Sequence, residues 1–165
     1  MCGRIHLSLP SASGALSDGI PVFSAHRNSV NQTISHATVT KIKWTTEDFD
    51  SHGYFERDAD DSGGATESRF TPLIAGVYVF VTALLYTSAV DQNRLIAYVT
   101  KNGAISKTNS IASSGTITQG VFVVAAFEAN GSTDYFEAAT FQNTGGDLTL
   151  SGSAPNTFFQ GWRVA

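Results

Sequence analysis

Residues 76–87 (GVYVFVTALLYT) constrain the fold more than any other stretch, because they are apolar on both faces of an extended chain. Side chains alternate across a strand, so Tyr78, Phe80, Leu84 and Tyr86 share one face while Val77, Val79, Val81 and Leu85 share the other. An antiparallel sheet in a lone sandwich usually keeps one face wet. At about 25 cal/mol per Å² of apolar surface, leaving a second such face in water forfeits several kcal/mol and invites aggregation. Residues 157–164 (TFFQGWRV) repeat the pattern, with Phe158 and Trp162 opposed to Phe159. Two covers are open: another copy of the chain, or its N-terminal stretch folded back as a lid. Residues 7–22 (LSLPSASGALSDGIPV) are small and polar and are broken by Pro10, Gly14, Gly19 and Pro21. They read as a linker or poorly ordered arm with little apolar surface to offer. A second copy is the better cover, and the expected division is an arm at 1–21 and one domain at 22–165.

From Phe23 onward, short apolar runs alternate with turn signals, the pattern of an all-β chain. Residues 39–46 (VTKIKWTT) place Ile42 and Trp44 opposite Lys41 and Lys43. Asn102-Gly103 lies between two strand-like runs, the strongest short hairpin signal. Asn130-Gly131 is expected to turn the long run 117–127 into the run 133–141, and Gly145-Gly146-Asp147 to turn again. Charged residues make up only 15% of the 165 residues, against about 25% in an average domain, which argues against a helical bundle with Glu- and Lys-rich faces. A net charge of −4 leaves no basic stripe for phosphates, so nucleic acid is not an expected partner. The single Cys2 forms no intrachain disulfide. The stretch 73–86 contains Gly76 and Thr82 and falls short of the ~18 residues of a membrane helix, and 5–9 is too short for a signal-peptide core. The chain reads as soluble, without membrane insertion.

Four pieces in order resemble a known family. Phe70-Thr-Pro-Leu-Ile-Ala-Gly76-Val-Tyr78-Val-Phe80 is similar to the F-x(5)-G-x-Y-x-F signature of the complement C1q globular head. Upstream, Phe49-Asp50-Ser-His-Gly53-Tyr-Phe55 resembles that family's aromatic-Asp…Gly-x-Phe element, and Phe23-Ser-Ala-His-Arg its first strand. Phe158-Phe159-Gln-Gly161-Trp162 resembles its closing F-x-G segment. Two departures stand out: residues 56–69 (ERDADDSGGATESR) are inserted between elements that usually run together, and Thr82 stands where the signature prefers an aromatic. The resemblance spans roughly residues 22–165 and implies a ten-stranded jelly-roll sandwich, shared with tumour necrosis factor and assembled as a compact homotrimer. Its wording, without cysteines, looks most like the versions in bacteriophage tail and head fibres. That implies a virion protein, or otherwise an extracellular one.

The signature residues read as structural. Gly76 and Gly161 permit close backbone approach, while Tyr78, Phe80, Tyr86, Phe158, Phe159 and Trp162 supply apolar area for core and subunit contact. Within the insertion, Asp58-x-Asp60-x-Ser62-Gly63 overlaps the start of a calcium loop, where alternating oxygens converge. The twelfth position is Arg69 rather than a bidentate Glu and no helix flanks it, so a solvated acidic loop is the first reading and calcium the alternative. His6, His26, His36 and His52 show no metal spacing, no G-x-S-x-G elbow occurs, and Asp134 and Glu137 show no sign of a cleft. No active site can be assembled, and the expectation is a protein that is not an enzyme. Loops at the end of a rigid sandwich are the usual recognition sites. The candidates are Asp91, Gln92 and Asn93 in SAVDQN (88–93), Ser113 and Ser114 in 110–115, and the acidic insertion; such polar side chains suit sugar hydroxyls. Attachment of a phage fibre to a host-surface glycan or protein is therefore the first functional expectation. The alternative is a trimerisation, capping or capsid-decoration module with no host ligand.

Overall fold

The computed structural model describes residues 19–89, 92–115 and 117–165. The expectation for the arm therefore falls mostly outside the described residues, as do His6 and Asp91. Thirteen strands are present among the described residues: β1 (Val22–His26), β2 (Gln32–Ile34), β3 (Thr40–Lys41), β4 (Thr46–Asp50), β5 (Phe55–Glu56), β6 (Arg69–Phe70), β7 (Gly76–Ala89), β8 (Arg94–Lys101), β9 (Ala104–Ala112), β10 (Ile117–Ala129), β11 (Phe136–Gln142), β12 (Leu148–Leu150) and β13 (Phe158–Arg163). The excess over ten comes from segments of two or three residues, β2, β3, β5, β6 and β12.

The strands form two antiparallel sheets, and β7 is the spine of the first. Along one edge it pairs with β10 over nearly its whole length, from Gly76↔Ala129 to Ala89↔Ile117. Its other edge carries β13 (Phe158↔Ala83 to Arg163↔Tyr78) and then β12 (Leu150↔Tyr86). Beyond β13 lie β1 and β4, and beyond β12 lies β2. The second sheet runs β5-β6-β11-β8-β9, with β3 beside β11.

The Asn102-Gly103 hairpin forms as expected: β8 and β9 pair around it, and both turn residues have positive φ (54° and 78°), as the tight primed turns that match strand twist require. Asn130-Gly131 turns β10 into β11, as expected. That turn does not close a hairpin, because β10 belongs to the first sheet and β11 to the second. The Asn130 side-chain oxygen accepts the N–H groups of Ser132, Thr133 and Asp134, which coils the chain for six residues while it crosses between sheets.

Between the sheets lies an aromatic core. The Phe23 ring stacks on Phe55 and Phe70 at 4.9 and 4.6 Å and meets Phe159 edge-on at 5.0 Å, while Phe80 lies 4.6 Å from Phe136. The alternation read at 39–46 holds, with Ile42 and Trp44 fully buried and Lys41 and Lys43 only half-buried, although residues 42–45 between β3 and β4 are not strand. Buried polar links join the two sheets: the Tyr86 hydroxyl on β7 bonds the Thr140 hydroxyl on β11, which donates to the Ile96 carbonyl at 2.7 Å, and the Gln142 amide on β11 donates to the Ile34 carbonyl on β2 at 2.9 Å. Burial pushes the Tyr86 phenol far above its ordinary value, so it stays protonated.

Candidate assembly face and recognition loops

The strand alternation sorts the six predicted aromatics into two sets. Tyr78, Phe80, Tyr86 and Phe159 point into the sandwich and are fully buried. Phe158 is half-buried on the opposite, outer face of the first sheet, and Trp162 is 38% exposed there. Both glycines of the signature hold close approaches. A Cβ on Gly161 would sit 2.6 Å from the Phe80 ring and 2.7 Å from the Phe23 ring, and one on Gly76 (φ +152°) would collide with the Ala165 carbonyl.

The register builds the outer face as cross-strand rows. One row runs Val22, Trp162, Val79, Ala126; the next runs Phe49, Ser24, Gln160, Val81, Val124; a third runs Thr46, His26, Phe158, Ala83, Phe122. Phe122 and Val124 are more than half exposed, at 58% and 57%, and Phe49 is 45% exposed. Two shallow depressions mark this face. One, of about 250 Å³, is lined by Val22, Phe49, Gln160 and Trp162. The other, of about 270 Å³, is lined by Leu85, Phe122, Pro155 and Phe158.

Ser24, His26 and Gln160 on this face are hydrogen-bonded within the chain. The Ser24 hydroxyl donates to Asp48 Oδ2 at 2.7 Å, and the Gln160 amide donates to Ser24 Oγ at 3.1 Å. His26 Nδ1 accepts the Asn28 N–H at 2.9 Å, so its proton sits on Nε2, which faces Asp48 Oδ1 at 3.2 Å. Ser24, His26 and Asp48 do not make a nucleophilic relay, because the hydroxyl gives its hydrogen to the carboxylate rather than to the imidazole. The other histidines serve locally: His36 Nδ1 accepts the Gly145 N–H, and His52 Nδ1 lies 2.7 Å from Ser51 Oγ. Asp134 and Glu137 are not paired with each other, since each holds its own lysine, Lys101 at 2.9 Å and Lys41 at 3.3 Å.

Two of the candidate loops meet. The Gln92 N–H donates to the Ser113 carbonyl, the Ser113 N–H donates to the Asn93 carbonyl, and the Ser113 hydroxyl lies 3.2 Å from the Asn93 nitrogen. Asn143 joins them by accepting the Arg94 N–H at 2.6 Å. Ser113 is buried in this junction, whereas Gln92 and Ser114 face solvent.

The acidic insertion is less solvated than its composition suggests. Asp58 is fully buried, and its Oδ2 accepts the Gly63 N–H at 2.8 Å. Burial pushes its carboxyl above the ordinary value, and the charge of Glu67 adds to this. Asp60 is held below its ordinary value by the Ser62 side chain and N–H. Ser62 also donates through Oγ to Glu67 Oε2 at 3.2 Å.

The anchor of this loop, Arg27, was not singled out by sequence reasoning. Its guanidinium is fully buried, donates to the carbonyls of Val30, Lys43 and Asn31, and pairs with Asp61 at 3.0 Å. Its place directly after a strand was the only available signal.

No protein-family model matches the chain, and no curated protein matches it. Solved structures do. Murine APRIL at pH 5.0 superposes with a TM-score of 0.62 at 13% identity, covering 88% of this chain and 100% of that one. The globular domain of the zebrafish complement 1qA protein gives 0.56 at 18%, covering 88% and 98%. The Eiger TNF of S. frugiperda gives 0.55 at 16%, covering 88% and 93%. The chain therefore has the all-β jelly-roll fold of the C1q and tumour necrosis factor kind.

Proposed function

We propose that this chain is the non-enzymatic head of a homotrimer, with the outer face of the first sheet buried between copies and the polar loops turned to a ligand. The observation that carries the reading is the cross-strand apolar face, where Phe122, Val124, Phe49 and Trp162 stand exposed in a single chain. Internal bonding of Ser24, His26, Asp48 and Gln160 supports burial of that face, because covering them leaves few donors without acceptors. The threefold arrangement and the setting, a bacteriophage fibre that attaches to a glycan or protein of the bacterial surface, rest on the sequence resemblance. Three copies of the Gln92–Ser114 junction would sum weak contacts into avidity.

Size exclusion coupled to light scattering tests the assembly. A mass of three chains is expected for the wild type and a smaller one for Phe122→Asp; a monomeric wild type overturns the trimer. Fluorescently labelled trimer should then stain host bacteria and compete with virus adsorption. An intact trimer that stains no plausible host favours the capping or decoration role instead. Release of oligosaccharide from host glycan would overturn the non-enzymatic reading.

A further inference from the structure

Within the insertion, Asp58, Asp60 and Glu67 each bring one carboxylate oxygen within 4.8 Å of the others. We propose that these three carboxylates bind a calcium ion that pins the insertion to the sandwich, at a site built within one chain and independent of assembly. The span fits the ion: oxygens about 2.4 Å from a calcium lie at most about 4.8 Å apart.

Asp58 supplies the second observation. It is fully buried and one of its oxygens accepts the Gly63 N–H, yet Oδ1 has no hydrogen-bond partner among the described residues. A carboxylate oxygen taken from water and left bare is costly, and a cation beside it removes that cost. The neighbouring side-chain cations are engaged elsewhere. Arg27 pairs with Asp61, Lys41 donates to the Gly64 and Glu67 carbonyls and to Glu137, and Lys43 donates to the Asp61 carbonyl. The other two carboxylates are already oriented. The Ser62 N–H holds Asp60 Oδ1 at 3.1 Å, and the Gly64 N–H and Ser62 hydroxyl hold Glu67 Oε2. Ser62 is thus a positioning residue rather than a ligand. An all-oxygen donor set without His or Cys selects a hard cation. A loop open to solvent at Asp60 suits the flexible, partly hydrated shell of calcium better than the strict octahedron of magnesium.

Isothermal titration of the chelator-treated full chain with calcium chloride, beside thermal unfolding, tests the site. One calcium per chain is expected, with a dissociation constant on the order of 10⁻⁴–10⁻³ M, a raised Tm, and weaker binding of magnesium. Asp60→Asn keeps the oxygen that accepts the Ser62 N–H, so it should fold like the wild type by circular dichroism while binding calcium roughly tenfold more weakly or worse. Glu67→Gln should do the same, Asp58→Asn should bind least, and Asp147→Asn, an exposed carboxylate elsewhere, should be unchanged. If Asp58→Asn does not fold, the other two variants carry the test. Absence of calcium binding up to about 10 mM, wild-type affinity in both Asp60→Asn and Glu67→Gln, or equal binding of magnesium overturns the proposal.

Discussion

Gly161 shows how one missing side chain organises many present ones. The space a Cβ would occupy is filled by the rings of Phe80 and Phe23, which themselves contact Phe136, Phe70 and Phe159. Gly161→Ala therefore overpacks the centre of the core. It should lower the unfolding free energy by about 1–3 kcal/mol in chemical denaturation, without a change of fold. Arg27 is the polar counterpart. A buried guanidinium tolerates the interior only when its donors are spent, and the carbonyls of Val30, Lys43 and Asn31 with Asp61 spend them. The Phe158/Phe159 pair was legible at this scale, since alternation alone sends one ring inward and the other outward. Arg27 was not, because its partners lie on segments that only folding brings together.

At the scale of elements, the β8–β9 hairpin and the β10–β11 crossover are stapled to each other. Asp134, in the crossover, pairs with Lys101 beside the hairpin's turn, and the Asn102 amide donates to it at 2.8 Å. The Asn102 bond, with help from Lys101 and the Asn130 N–H, holds the Asp134 carboxyl below its ordinary value. A depressed native pKa means that this stabilisation is fully present above the unfolded value, about 3.9 for Asp. It is lost as pH falls through the native value. Wild type should thus exceed Asp134→Asn in stability at neutral pH, and the gap should close as denaturation is repeated toward pH 3. A gap independent of pH would mean that the staple is not ionic. The Asn-Gly dipeptide was sufficient evidence for the first turn, where both residues adopt positive φ in a local pairing. At residues 130–131 the same dipeptide also marked a turn, but turn chemistry reports that the chain bends, not which sheet receives the next strand.

For the whole molecule, the decisive feature is the difference between the faces of the first sheet. The inner face is closed by the second sheet, whereas the outer face presents Phe122, Val124, Phe49 and Trp162. If copies cover it, unfolding is coupled to dissociation, and Tm should rise with protein concentration. The two tryptophans offer a second readout, since Trp44 is fully buried within the chain while Trp162 lies on the outer face. The emission of Phe122→Asp should shift to the red of the wild type as Trp162 becomes wet. Unchanged emission in a dissociated variant would place Trp162 outside the interface.

The sequence by itself determined the class of fold, the two-sided character of β7 and β13, and the hairpin at residues 102–103. Each follows from period-2 alternation or from the φ demands of neighbouring residues, properties carried by consecutive side chains. Only the tertiary structure decided that β10 and β11 part between sheets, that Gln92, Asn93 and Ser113 form one junction, and that Arg27 anchors the insertion. It also recast the insertion itself. The spacing Asp58-x-Asp60-x-Ser62 suggested alternating oxygens along the loop, and the fold also brings Glu67 beside Asp58 and Asp60, with Ser62 hydrogen-bonded to both Asp60 and Glu67. The physical reason is common to all of these: burial and charge proximity depend on segments far apart in the chain, and no local pattern encodes which of them will meet.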